Sequence, residues 1–69
     1  MDWKERFKIE YYELEERVNK LNHMLKKYMN NELDFTPNCS FELLHTQLVY
    51  MQGYLYILQE RARIEEIEL

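Results

Sequence analysis

From Phe41 to Ala62 the chain reads Phe41-Glu42-Leu43-Leu44-His45-Thr46-Gln47-Leu48-Val49-Tyr50-Met51-Gln52-Gly53-Tyr54-Leu55-Tyr56-Ile57-Leu58-Gln59-Glu60-Arg61-Ala62. Phe41, Leu44, Leu48, Met51, Leu55, Leu58 and Ala62 recur at alternating steps of three and four, which lays an apolar seam along one face of a helix. Leu48 to Leu58 is also rich in Val, Ile and Tyr, so a strand is a formal alternative. The heptad steps on both sides favour the helix.

Upstream, Phe7, Tyr11, Leu14, Val18, Leu21, Leu25 and Tyr28 form a second seam, with the same alternation from Tyr11 onward. Asp2 followed by Glu5 has the spacing of a capping box, and Glu13 to Arg17 and Glu16 to Lys20 have the spacing of ion pairs along a helix. Asn30 to Asn38 breaks the pattern, because Asn suits a helix end and Pro37 disfavours helix at Thr36. Asn38 or Ser40 can cap the second helix. The expectation is an all-α antiparallel two-helix hairpin forming a single domain, residues 1-69, with a helix over about 2-30, a linker over 31-39 and a helix over 40-67.

Folding back about the linker pairs Tyr28 with Leu44, Leu21 with Met51, Leu14 with Leu58 and Tyr11 with Ala62. It also brings Lys4, Arg6 and Lys8 beside Glu60, Glu65, Glu66 and Glu68, so that two groups unfavourably placed against their own helix dipoles offset each other. In this register Tyr12 falls near Arg61 and Arg17 near Tyr56.

A further stripe, Leu43, Gln47, Tyr50, Tyr54, Ile57 and Ile64, together with Val49 and Tyr56, makes the second helix apolar around most of its circumference. One facing helix cannot cover it. A chain of 69 residues also supplies little net stability from one core, about 3–5 kcal/mol. A homo-oligomeric helical bundle is therefore expected. Gly53 reads equally as a place where two backbones approach closely or as a tolerated defect costing about 1 kcal/mol.

The other staples are missing from the composition. Cys39 is the only cysteine, and with His23 and His45 it gives no paired-ligand spacing for zinc. Glu42 and His45 match the Glu-x-x-His spacing of bundle metal sites, but His23 has Lys20 three residues before it, so the match reads as chance and no metal is expected. Cys39 near a helix start could be activated as a nucleophile, yet no base or orienting group accompanies it, and a half-buried structural thiol is the commoner case. No cofactor and no enzyme activity are expected.

Net charge is −4, from 13 acidic and 9 basic residues, which is the wrong sign for a general DNA or RNA binder. The charge-crowded segment from Met1 to Glu16 does not read as a signal peptide, and Leu43 to Leu58, interrupted by His45, Gln47 and Gln52, falls short of a membrane span. The expectation is a cytoplasmic protein that engages neither nucleic-acid polymers nor membranes.

Six tyrosines in so short a chain point to a binding surface. Aromatic faces stack on nucleobases, and Arg or Lys pairs with phosphate. The candidate ligand-binding residues are Tyr12 and Tyr54 for stacking and Arg17 and Arg61 for phosphates, with Lys26 and Lys27 near the linker as second-rank phosphate partners. The same tyrosines could instead fill an oligomer interface, which is the reading that periodicity alone favours.

Glu10-Tyr11-Tyr12-Glu13-Leu14-Glu15-Glu16-Arg17-Val18-Asn19-Lys20-Leu21 in the first helix, and Leu43, Leu44, Gln47, Leu48, Met51, Tyr54, Leu55, Ile57, Leu58 and Arg61 in the second, carry a resemblance over nearly the whole chain. The chain resembles the helical-hairpin domain shared by small phage proteins that inhibit the bacterial CBASS and Thoeris defence systems. That resemblance implies a phage anti-defence sponge that sequesters a cyclic nucleotide signal in pockets between subunits, without catalysis, in the cytoplasm of an infected host cell. The alternative is an oligomeric interaction module or inhibitor that binds a host or phage protein, for which an acidic surface is suited.

Overall fold

The computed structural model describes residues 2–69 and contains two helices, with no strand among those residues. Helix α1 spans Trp3–Met29 and helix α2 spans Phe41–Ile64. They lie side by side in a rod of 42 × 19 × 17 Å.

Each helix starts on a side-chain oxygen that takes a free N–H of the first turn. Asp2 accepts from the Glu5 amide at 2.8 Å, and Ser40, not Asn38, accepts from the Leu43 amide at 3.1 Å. Only the Asp2 half of the expected capping box is formed. Each helix also ends in the same way. Beyond α1, the Glu32 amide donates to the Lys27 carbonyl at 2.8 Å around Asn31, whose φ is 57°. Beyond α2, the Ile67 amide donates to the Ala62 carbonyl at 2.8 Å around Glu66, whose φ is 56°. These are Schellman turns, in which a left-handed residue lets the chain reverse and satisfy the last carbonyls.

The second turn changes the expected C-terminus. Helix α2 stops at Ile64 instead of continuing to about 67, because reversing at Glu66 buries Ile67 against the core. Burial of that side chain outweighs another turn of solvated helix.

The core joins the two expected seams. Phe7, Tyr11, Leu14, Val18 and Leu25 from α1 pack on Leu48, Leu58 and Ala62 from α2, with Leu21, Met24, Phe41, Leu44, Met51 and Leu55 half-buried around them. Leu58 is the centre, with 0% of its surface exposed. Contacts across the hairpin place Tyr28 edge-on to Phe41 at 5.5 Å and the Tyr11 hydroxyl 3.0 Å from the Gln59 amide, each within one helical turn of the expected partner.

Lys4, Arg6 and Lys8 form no ion pair with Glu60, Glu65, Glu66 or Glu68 among the described residues. The two ion pairs among the described residues, Lys20 with Glu16 at 3.0 Å and Arg63 with Glu60 at 2.8 Å, lie within single helices, and Glu13 and Arg17 do not form one. Both pairs are exposed, where the cost of ordering long side chains nearly cancels the Coulomb gain. Cys39 is exposed, not half-buried.

Candidate functional site

Helical repeat decides which side chains share a flank of the hairpin. Tyr54 and Arg61 are seven residues apart on α2, and Glu10 and Arg17 are seven apart on α1, so each pair projects from one side of its helix. The Tyr54 hydroxyl donates to the Glu10 carboxylate, which joins the two pairs across the groove. Beside them the Arg61 guanidinium lies over the Phe7 ring, 5.0 Å from its centroid. Gln47, seven residues before Tyr54, continues the row.

This flank therefore carries aromatic faces and cations side by side. Donation to Glu10 raises the Tyr54 pKa above its ordinary value, with partial burial and the carboxylate charge acting the same way and Arg61 opposing them. Tyr54 is thus a neutral phenol at physiological pH, its ring steered by Glu10. Stacking on Phe7 uses one face of the Arg61 guanidinium and leaves its N–H edges for an anion. Arg17 and Arg61 are both exposed and form no ion pair among the described residues.

The remaining candidates do not join this group. Tyr12 follows Glu10 by two residues, about 200° around the helix, and packs edge-on against Tyr11 at 5.2 Å, on the side where Gln59 crosses over. Its expected proximity to Arg61 is not realised, because Arg61 occupies the Phe7 side. Nor does Arg17 meet Tyr56, whose hydroxyl donates to Glu60 at 3.1 Å within its own helix.

Lys27 lies at the linker end, where it lines a shallow recess of about 280 Å³ with Lys20, His23, Met24, Phe35 and the acidic Glu32 and Asp34. A neighbouring recess of about 230 Å³ lies under Phe35 and Pro37 against Tyr28. Neither includes Lys26, Tyr12, Arg17, Tyr54 or Arg61. Of the six candidates, Tyr54 is tied to Glu10 and Arg61 to Phe7, Arg17 shares the face of Glu10 by helical repeat alone, and Tyr12, Lys26 and Lys27 lie elsewhere.

Sequence reasoning missed Glu10 and Phe7. The signal was available in the seven-residue spacing of Glu10 to Arg17, which marks them as sharing a face, and in Phe7 three residues before Glu10. What could not be read was which flank of α1 meets which flank of α2. The described residues hold no group of three or more His, Cys, Asp and Glu side chains placed to bind a metal ion. His45 instead stacks on Phe41 at 5.9 Å. Among the described residues, no helix is long and apolar enough to cross a membrane.

Comparison with curated proteins finds no match, and neither does comparison with solved structures. A family model described as Sequestin matches residues 1–64, which takes in both helices and every residue of the Tyr54–Arg61 flank. This agrees with the resemblance drawn from residues 10–21 and 43–61, and on that match the chain belongs to the Sequestin family.

Proposed function

We propose that this protein is a phage-encoded anti-defence sponge that withdraws a cyclic nucleotide signal by binding it between copies of itself in the cytoplasm of the infected cell. The observation that carries the reading is the flank on which Tyr54 is bonded to Glu10 and Arg61 lies over Phe7, with the exposed Arg17 on the same face of α1 as Glu10. The family description, Sequestin, names sequestration and no reaction.

In this reading Tyr54 stacks on a base, at a value of about 1–3 kcal/mol per base, and Glu10 holds the ring in place. Arg61 and Arg17 pair with phosphate oxygens. Tyr12, on the opposite flank, contributes only if a second copy presents it, and Lys26 and Lys27 lie too near the linker to be first partners. In this reading the protein acts by stoichiometric binding and not as an enzyme.

Thermal melts against cyclic dinucleotides, cyclic trinucleotides, cyclic ADP-ribose isomers and an acyclic control test this. Ligand at about one hundred times its dissociation constant stabilises the native state by roughly 2.7 kcal/mol, and a selective rise in Tm for one cyclic class is expected. Arg61→Ala should abolish that rise while leaving the melt of the free protein within a few degrees. A flat panel would overturn the reading in favour of an interaction module that uses the same tyrosines on a protein partner.

A further inference from the structure

Trp3 is the only tryptophan of the chain, and the hairpin leaves 44% of it exposed. It precedes Glu10 by seven residues and Arg17 by fourteen, so helical repeat puts it on the face of α1 that both of them occupy. Its place is fixed through Phe7. The indole meets the Phe7 ring edge-on, with centroids 6.5 Å apart and planes at 88°, while the Arg61 guanidinium lies over that same ring at 5.0 Å. Phe7 itself is buried, so one anchored ring supports both an exposed aromatic surface and a cation at the edge of the groove.

The order of these groups along α1 matters. Trp3 comes first, then Phe7 with Arg61 over it, then Glu10 with Tyr54 bonded to it. At 1.5 Å per residue, the two ends of this row are separated by about 10 Å along the helix axis. An aromatic ring therefore stands on either side of a cation, and one nucleobase can lie against only one of the two rings.

We propose that Trp3 is a second stacking platform, so that the flank takes a ligand with two nucleobases bridged by phosphate: one base on Tyr54, the other on Trp3, and a phosphate on Arg61 between them. This rests on the sequestering reading and narrows it. A cyclic nucleotide with a single base fills one platform and leaves the other in water. Stacking is tolerant of base identity because every base has a π-face, so Trp3 selects for the number of bases and not for their kind. The exposed Lys4 ammonium, 6.0 Å from the indole centroid, is held there weakly enough to turn aside to a second phosphate when a base arrives.

The sole tryptophan is its own reporter. Its fluorescence is titrated in the wild-type protein with cyclic di-AMP, cyclic di-GMP, cyclic AMP and a cyclic ADP-ribose isomer, beside thermal melts against the same ligands. A cyclic dinucleotide should quench the indole and raise the Tm, and both single-base ligands should bind at least about fivefold more weakly, the least that one stacked base contributes. By calorimetry, Trp3→Ala should lower the affinity for that dinucleotide by roughly 5–150-fold, and Trp3→Phe should recover most of the loss. A dinucleotide that raises the Tm without changing the tryptophan emission, full affinity in Trp3→Ala, or tightest binding by a single-base ligand would each overturn the proposal and leave the sequestering reading intact. Flat melts and flat titrations throughout would reject both. If Trp3→Ala fails to fold, the wild-type quenching and the order of affinities decide.

Discussion

Replacing Leu58 by Ala removes three carbons from the one large side chain with no exposed surface, at the point where both seams meet. Such a deletion costs the lost transfer energy plus the cavity that remains, about 2.7–5 kcal/mol for a well-packed leucine. A core this small supplies about 3–5 kcal/mol in all. The variant should therefore retain at most about 1–2 kcal/mol, with a measurable unfolded population at 25 °C. Urea titration followed by helical circular dichroism at 222 nm measures this directly. Leu43→Ala is the matched control: the same chemistry is made on the same helix at a side chain that is 59% exposed. In the isolated hairpin it should cost under about 0.5 kcal/mol, and any larger cost should disappear on dilution, because it would come from the second copy. A loss below about 1 kcal/mol for Leu58→Ala would refute the placement of the core. Equal losses for the two variants at every concentration would refute the assignment of inner and outer faces.

The left-handed Glu66, with φ of 56°, also carries a negative charge against the C-terminus of α2. Glu66→Gly should relieve both and stabilise by about 1 kcal/mol, a rise in Tm of roughly 4–8 °C for a domain of this size. Ser40→Ala removes the acceptor for the Leu43 amide and should cost about 0.5–2 kcal/mol in the same melt. Tyr54, held up by its bond to Glu10, should ionise above the ordinary tyrosine value, and Glu10→Gln should bring it back down, as read by NMR of ring-labelled tyrosine. A tyrosine whose folded pKa is raised contributes stability that is complete below the unfolded value of about 10 and is lost as pH climbs through the folded one. That part of the stability should therefore fail only on the alkaline side in the wild type, and most of it should be missing from Glu10→Gln at every pH.

Both helices and both seams were legible because heptad spacing reports directly on which face is buried. The polar start of each helix was legible too, since Asp2 and Ser40 each have the residue type that a cap needs. The ends were harder. A glycine usually marks the left-handed residue of a Schellman turn, but here Asn31 and Glu66 occupy those places and the only glycine is in mid-helix, so the return of Ile67 to the core carried no local signal. The candidate site was half legible for a different reason. Aromatic and basic residues could be picked by chemistry and placed in a register along the hairpin, but pairing by register does not say on which side of the contact a residue lies. That is why register alone sets Tyr12 beside Arg61, whereas Phe7 and Glu10 hold the arginine's side of the groove. Cross-helix ion pairs failed as a guide because exposed lysines and glutamates gain too little to choose partners at long range.

The two helices are joined by a single short segment, residues 30–40, and the contacts that do not lie within a helix form when that one segment closes. Closing a loop of about ten residues takes roughly 10–100 ns, and helical proteins with such local wiring fold in microseconds to milliseconds. A ribosome adds about 5–20 residues per second. Each chain is therefore folded within the time needed to add one more residue, and the supply of folded protein early in its expression is limited by synthesis, not by folding.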